Sequence, residues 1–201
     1  SEDTSTREDY ISMVERMDQG VGDILATLER LGLTENTIVI FTSDNGGEWL
    51  ARNDPFSNRK ETVWEGGIRV PALIQWPGQI PAGIVSNQVG ITMDLTASII
   101  EATGSQLPTD LNLDGINLFP ILSEEVSEVD RTLYWRSSYG NRNQRAVRDG
   151  DLKLLIEDSH VFVFNLAEDP GEHDDLANES QDVARRLRLM HDNWAMTVTA
   201  E

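Results

Sequence analysis

Apolar positions at the start of the chain change from a helical period to that of a strand. Between residues 5 and 31 they recur at steps of three and four, as in an amphipathic helix. Ser5 and Glu8 have the spacing of a capping box, and Gly32 follows as a stop signal. Residues 37–42 are β-branched or aromatic, which predicts a strand buried on both faces, as in parallel sheets. This order predicts half of a βαβ unit.

Proline and glycine interrupt the middle of the chain. Residues 68–76 are a second apolar run that contains Pro71, which favours an edge or interrupted strand. A loop at 77–84 and a short helix from about 93 to 102 follow. We expect the strands at 36–43 and 68–76 to share one sheet, with the first helix packed on its face.

The pattern changes again after residues 105–117, where short strand candidates replace the longer elements. They lie at 133–136, 144–147, 152–156 and 161–166, with a hairpin turn at Asp149-Gly150 and a closing helix at about 180–194. The sequence therefore predicts an α/β fold. A mixed or parallel sheet with helices occupies 1–105, and a small α+β subdomain, an antiparallel sheet plus a C-terminal helix, occupies 106–201.

The chain is strongly acidic, with 16 Lys and Arg against 35 Asp and Glu and a formal charge of −19. Such a surface repels nucleic acid and anionic lipid, so we expect neither as a partner. The acidity has two interpretations, an adaptation for solubility or a dispersed cation-binding surface, and no dense acidic block favours the second. There is no Cys, so disulfides are excluded. No apolar run approaches the roughly 18 residues of a membrane span.

Two polar motifs follow the predicted strands. Asp44 and Asn45 lie in Ser-Asp-Asn-Gly-Gly at 43–47, at the carboxyl end of the first strand, where open α/β sheets place ligand sites. Their oxygens suit a hard cation such as Ca²⁺ or Mg²⁺, but Ca²⁺ takes about six to eight oxygens, and the same residues also form an ordinary tight turn. Lys60 precedes a Gly-Gly pair at 66–67 and is either an anion contact or an exposed surface lysine.

Together these motifs change the interpretation. The run from 36 to 46 and Lys-Glu-Thr-Val-Trp-Glu-Gly-Gly-Ile-Arg-Val-Pro at 60–71 resemble the sulfatase family of the alkaline-phosphatase superfamily. The resemblance continues in Leu-Asp-Gly at 113–115, in Arg-Asp-Gly-Asp-Leu-Lys at 148–153 and in the tail with Asp169-Pro170 and Glu172. The resemblance covers nearly the whole chain in order. The chain resembles the carboxy-terminal part of a sulfatase, which implies part of an alkaline-phosphatase-like sheet.

The resemblance implies roles for particular residues. Asp44 and Asn45 would ligate a divalent cation, usually Ca²⁺, and Lys60 would contact the sulfate of a sulfate ester substrate. Trp49, Arg52 and Asn53, next to the metal turn, are candidates for substrate-facing residues. The three histidines, His160, His173 and His191, are interpreted as surface residues without a catalytic role. The family is often periplasmic, secreted or lysosomal, and the chain does not indicate which sulfated substrate is used.

One part of the family pattern is missing. The nucleophile implied by the resemblance is a formylglycine made from Cys or Ser in Cys/Ser-x-Pro-x-Arg. This chain has no Cys, and no Ser stands two positions before any of its 7 prolines. We therefore expect the isolated chain to lack a nucleophile and to be inactive.

Two accounts of this absence stay open. The chain is either a fragment of a sulfatase or a non-catalytic sulfatase-like protein for binding or assembly, and its start at Ser1 rather than Met favours the first. Another branch of the superfamily, such as a phosphodiesterase, fails on the same missing nucleophile. If the sheet lacks neighbouring strands, we expect the exposed sheet to favour self-association. Because Asp44 and Asn45 supply too few oxygens for tight Ca²⁺ binding, we expect the cation to be absent or weakly bound in this chain.

Overall fold

The computed structural model describes residues 5–108 and 111–198. Its elements in chain order are α1 (Arg7–Arg30), a 3₁₀ turn (Thr34–Asn36), β1 (Val39–Thr42), α2 (Glu65–Ile68), β2 (Ala72–Gln75), α3 (Thr92–Ala102), α4 (Phe119–Leu122), β3 (Thr132–Tyr139), β4 (Arg142–Asp149), β5 (Leu152–Glu157), β6 (His160–Asn165) and α5 (Gln181–Val198).

The chain divides into two compact units. The first contains the described residues within Ser1–Glu15, Asn45–Pro71 and Asp130–Glu201. The second contains Arg16–Asp44 and the described residues within Ala72–Val129. No described helix is long and apolar enough to cross a membrane.

The core of the first unit is an antiparallel sheet of four strands in the order β3-β4-β5-β6. The pairing of Asp149 with Leu152 closes the central hairpin, and Gly150 takes a left-handed φ of 60° there. Glycine adopts this conformation without the steric cost of a side chain. The predicted strands and hairpin turn are therefore confirmed.

Helix α5 covers one face of this sheet, as the sequence predicted. Leu187 of the helix is fully buried and packs among alternate residues of three strands: Val147, Leu154, Ile156 and Val163. Burying an aliphatic side chain of this size contributes about 1.5–3 kcal/mol. The helix is amphipathic, so this apolar face accounts for its attachment to the sheet.

The opposite face of the sheet is covered by the segment that precedes α2. Val63 is buried against Ala146, Leu155 and Phe164. The next residue, Trp64, packs on two aromatic rings of β6, with ring centroids 5.3 Å from Phe162 and 5.5 Å from Phe164. The sheet thus supports the loop of residues 57–62, called the Lys60 loop below.

In the second unit β1 and β2 form an antiparallel pair, with Val39 opposite Gln75. The prediction that these two segments share a sheet is confirmed. Burial of the first strand on both faces is wrong for this chain, because all four residues of β1 are only half-buried. The second strand begins after Pro71 rather than at residue 68, since residues 65–68 form a helical turn.

Helix α1 differs from the prediction in two respects. Its capping box lies one residue later than predicted: Asp9 accepts the Thr6 N–H at 2.8 Å, and Thr6 Oγ1 accepts the Asp9 N–H at 3.2 Å. None of its residues is buried, so the expected packing of its apolar stripe on a sheet face is not met. Met17 and Ile24 are 50% and 60% exposed. The predicted stop at Gly32 is confirmed by its φ of 68°.

Candidate functional site

The two predicted motifs meet through their backbones. The Gly46 N–H donates to the carbonyl oxygen of Gly67 at 2.8 Å, and the Lys60 N–H donates to that of Gly47 at 3.2 Å. A Cβ on Gly46 would lie 1.8 Å from the Gly66 carbonyl oxygen. Only glycine permits this approach, so the glycines after Asn45 and before α2 form one packing surface.

The Gly-Gly pair also fixes the loop that carries Lys60. A Cβ on Gly66 would lie 2.3 Å from the carbonyl oxygen of Ser57, and one on Gly67 would lie 2.2 Å from that of Thr62. The Gly66 N–H donates to the same Ser57 carbonyl at 2.8 Å. Residues 57–62 therefore wrap closely around the start of α2.

Asn53 braces the turn from the other side. Its Oδ1 accepts the Gly47 N–H at 3.0 Å, and its Nδ2 donates to the carbonyl oxygens of Gly47 at 3.0 Å and Asn58 at 3.1 Å. Asn58 and Glu61, on either side of Lys60, adopt left-handed φ angles of 64° and 73°. Strained backbone of this kind persists where the surroundings determine it, and here the Asn53 amide and the Gly-Gly pair do so.

The side chains of the predicted site differ in exposure. Asp44 and Lys60 are exposed at the surface, and Asn45 is half-buried. Trp49 is 68% exposed, and Arg52 is exposed as well. These positions leave Lys60 and Trp49 accessible to a ligand, while Asn53 directs its amide into the loop.

The oxygen donors fit a hard cation in type but not in number. Asp44 and Asn45 follow β1 directly and supply a carboxylate and an amide oxygen, which are ligands that Ca²⁺ and Mg²⁺ accept. Across residues 5–108 and 111–198 no group of three or more His, Cys, Asp or Glu side chains is arranged to hold a metal ion. Asp44 and Asn45 therefore offer donors of the right type, but too few to hold a cation by themselves.

Directly behind the loop lies a buried charge cluster. Lys153 Nζ lies 2.7 Å from a Glu65 oxygen and 2.8 Å from a Glu172 oxygen, and the Lys153 side chain is fully buried. The Glu65 N–H donates to the second Glu172 oxygen at 2.6 Å. Burial raises the pKa of the Glu172 carboxyl above its ordinary value, because desolvation outweighs the attraction of Lys153.

Gln144 gives the loop a further attachment to the sheet. Its Oε1 accepts the Val63 N–H at 3.0 Å, and its Nε2 donates to Glu157 at 2.9 Å. The residue is 1% exposed. Its buried amide therefore satisfies a loop N–H that would otherwise lack a partner.

Comparison with known proteins decides the family. The model of the sulfatase family matches residues 1–105. The chain belongs to the sulfatase family. A second family model, described as N-sulphoglucosamine sulphohydrolase, C-terminal, matches residues 56–195. The family resemblance of the sequence is therefore confirmed.

Sulfatases from other organisms align with most of the chain. N-acetylgalactosamine-6-sulfatase of Rattus norvegicus is 33% identical over 91% of this chain and 42% of the relative. Arylsulfatase A of Bos taurus is 30% identical over 91% of this chain and 43% of the relative. The chain thus spans less than half the length of the two relatives.

The fold of the chain is similar to that of a solved structure. The crystal structure of Ps i-CgsB superposes with a TM-score of 0.87 at 27% identity, covering 96% of this chain and 44% of that chain. The α/β fold class with an antiparallel C-terminal sheet is confirmed.

The three residues of the buried charge cluster were not singled out from the sequence. Glu65, Lys153 and Glu172 lay within family-like motifs but had no assigned role. A signal was present in Lys153, because a lysine at a core-facing position of an otherwise apolar strand requires a buried partner. The interpretation of His191 as a surface residue is wrong: it is 1% exposed, on the sheet-facing side of α5. His160 and His173 are exposed, as predicted.

Proposed function

We propose that this chain carries part of the cation and sulfate site of a protein that hydrolyses sulfate esters. The observation that carries the proposal is the docking of Gly46 and Gly47 on α2 and the Lys60 loop, through the Gly46–Gly67 and Lys60–Gly47 hydrogen bonds. This docking supports one site for two motifs that are separate in the sequence. Sulfatase family membership supports the reaction class.

In this proposal each residue has a distinct task. Asp44 and Asn45 hold a divalent cation, Ca²⁺ or Mg²⁺, which when bound withdraws negative charge from the sulfate oxygens. Lys60 donates to a sulfate oxygen and stabilises the charge that develops as the ester bond breaks. Trp49 and Arg52 are exposed beside the turn and are proposed to face the substrate. Asn53 remains a candidate for this role, although its amide holds the loop.

The covalent step is assigned to no residue of this chain. The sequence contains no Cys and no Cys/Ser-x-Pro-x-Arg motif. We propose that residues 1–105 and 106–201 correspond to two successive segments of a sulfatase whose nucleophile lies outside them. The alternative is a sulfatase-like protein that binds or assembles without catalysis.

A titration with inorganic sulfate tests the site. The backbone amides are followed by NMR in the presence of millimolar Ca²⁺, with sodium chloride at equal ionic strength as the reference. We expect shifts centred on Gly46, Gly47 and Lys60, and their loss in Lys60→Met. Arg142→Met, which removes an exposed arginine on β4, is the matched control.

Two outcomes would contradict the proposal. The first is that sulfate shifts no amide near Gly46 at any concentration reached, and the second is that Lys60→Met and Arg142→Met respond equally. Either result would favour the non-catalytic assembly role.

A further inference from the structure

The buried cluster of Glu65, Lys153 and Glu172 has no part in the function proposed above. Its three side chains are at most 3% exposed, and two carboxylates share one lysine. Burying ions is costly unless they are paired, and such clusters are poor sources of stability compared with apolar packing. A position-setting role therefore explains the cluster better than stability alone.

Each member comes from a different part of the first unit. Lys153 lies on β5, on the same face of the sheet as Leu155, which packs against Val63. Glu65 is the first residue of α2. Glu172 lies in the turn after β6 with a left-handed φ of 59°, which is strained for a residue with a Cβ. The cluster thus joins the sheet and the tail to one helical turn.

The tail is built to keep Glu172 in this conformation. Asp169 accepts the N–H groups of His173 at 2.7 Å and Asp174 at 2.9 Å through its carboxylate. Its carbonyl oxygen accepts the Glu172 N–H at 3.2 Å. These bonds close a tight turn that directs the Glu172 carboxylate inward.

The cluster acts on backbone that leads directly to the proposed site. One Glu172 oxygen accepts the Glu65 N–H at 2.6 Å, at the first residue of α2. The next two residues are Gly66 and Gly67, whose carbonyl and Cα surface receives Gly46. A shift of Glu65 therefore moves the surface of Gly66 and Gly67 that Gly46 contacts.

We propose that Lys153 and Glu172 are positioning residues of the sulfate site, which hold Glu65 so that the Gly66-Gly67 surface receives the Ser-Asp-Asn-Gly turn. The inference rests on the proposed function of that turn and of Lys60. It predicts that loss of the cluster loosens the turn and the Lys60 loop before it loosens the sheet.

Two further arginines add positive charge near the Glu65 carboxylate. Arg69 lies 3.7 Å from a Glu65 oxygen and is partly exposed, and Arg148 of β4 also faces Glu65. Burial lowers the pKa of Arg148, while the Glu65 carboxylate opposes that effect. Glu65 thus receives positive charge from β5, from β4 and from Arg69 just after α2, whereas the cation beside Glu172 is Lys153.

Amide hydrogen exchange on the full chain tests the inference. The variants are Glu172→Gln, which keeps an acceptor but removes the charge, and the double variant Lys153→Met with Glu172→Gln, which leaves a single carboxylate. Arg142→Met is the control, because Arg142 is exposed and contacts Glu157 at 3.8 Å, outside the cluster. Sheet protection is read at Leu155 and Val163, and site protection at Gly46 and Lys60.

We expect exchange at Gly46 and Lys60 to accelerate by about tenfold or more in the double variant, with less than about a twofold change at Leu155 and Val163. Glu172→Gln should have a smaller effect at the same amides. Its response to sulfate should weaken, while its denaturation midpoint should change no more than that of Arg142→Met. Equal acceleration at all four amides, or none at Gly46 and Lys60, would overturn the inference. If the wild-type chain shows no response to sulfate while the variants show the expected exchange pattern, the result would count against the proposed function alone.

Discussion

The Gly46 N–H donates to the carbonyl oxygen of Gly67 at 2.8 Å, and a Cβ on Gly46 would lie 1.8 Å from the neighbouring Gly66 carbonyl oxygen. This contact places the turn after Asn45 on the start of α2. The Lys60 loop is then held between the turn and the four-stranded sheet. The site is thus built on backbone packing that glycine alone allows.

The first prediction concerns catalysis by the isolated chain. We expect no hydrolysis of a chromogenic aryl sulfate, because the sequence contains no Cys/Ser-x-Pro-x-Arg motif to supply the nucleophile expected for a covalent intermediate. The assay follows phenolate release across the purification, with an intact arylsulfatase as the positive control. Turnover that co-purifies with the chain and disappears in Lys60→Met would contradict the prediction.

The second prediction concerns the cation. Asp44 and Asn45 supply at most three side-chain oxygens where Ca²⁺ takes about six to eight, so we expect binding in the millimolar range or none. Isothermal titration calorimetry measures it, with Asp44→Ala as the test variant and Asp54→Ala, an exposed aspartate in the same loop region, as the control. Micromolar binding that Asp44→Ala abolishes and Asp54→Ala leaves unchanged would contradict the prediction and show that further ligands complete the site.

The third prediction concerns self-association. Met17 and Ile24 on α1 are 50% and 60% exposed, and Leu73 on β2 is 65% exposed, so apolar surface is available for a second copy. The formal charge of −19 opposes non-specific aggregation but does not cover this surface. We expect light scattering to detect concentration-dependent association of the chain, and the double variant Met17→Glu with Ile24→Glu to reduce it.

The control for this experiment is Leu189→Glu, which adds the same charge at a 62% exposed position on α5. A monodisperse monomer at high concentration, without binding of an apolar dye, would refute the prediction. An equal reduction by Leu189→Glu would mean that added charge, rather than the α1 surface, controls association.

The fourth prediction concerns acid stability. Burial lowers the pKa of His191, and the nearby Arg145 adds to this effect, so the folded chain favours the neutral ring. In the unfolded chain the His191 ring has its ordinary pKa near 6.5, so it is protonated at a higher pH than in the folded chain. The stability contributed by His191 is therefore complete above about pH 6.5 and is lost as the pH falls through the folded pKa.

Urea denaturation at pH 7.5 and pH 5.5 measures this effect. His191→Leu should reduce the loss of unfolding free energy between the two pH values, because leucine fills the site without titrating. The Asp192 carboxylate lies 3.7 Å from Nδ1 of His191, beyond normal hydrogen-bonding distance, so we expect leucine to cost little at pH 7.5. His160→Gln, at an exposed position, should leave the pH dependence unchanged, and an unchanged slope in His191→Leu would disprove the role of this histidine.

The sequence predicted the C-terminal sheet well because its strands are short and local. The Asp149-Gly150 turn and the alternation of apolar residues determine both the hairpin and the face that α5 covers. The capping box of α1 was predicted one residue too early because Ser5 and Thr6 both have an acidic residue three positions later. Such choices depend on local geometry that a spacing rule does not include.

The candidate site could be predicted only in part. Motif resemblance identified Asp44, Asn45 and Lys60, but the reason for the glycines between them lies in contacts between distant segments, such as Gly46 with Gly66. The pairing of Lys153 with Glu65 joins residues 88 positions apart. Periodicity within a strand or helix carries no information on partners at that separation.

The most direct test of the central claim is the sulfate response of Gly46→Ala. The added Cβ would overlap the Gly66 carbonyl oxygen, so the turn must move away from α2, whereas Gly20→Ala on α1 meets no atom within 4 Å. In the NMR titration with sulfate and Ca²⁺, the account predicts that Gly46→Ala loses the shift at Lys60 while the β4–β5 hairpin signals remain native, and that Gly20→Ala behaves as wild type. A Gly46→Ala chain that keeps the wild-type response at Lys60 would contradict the claim that the docking of the two motifs creates the site.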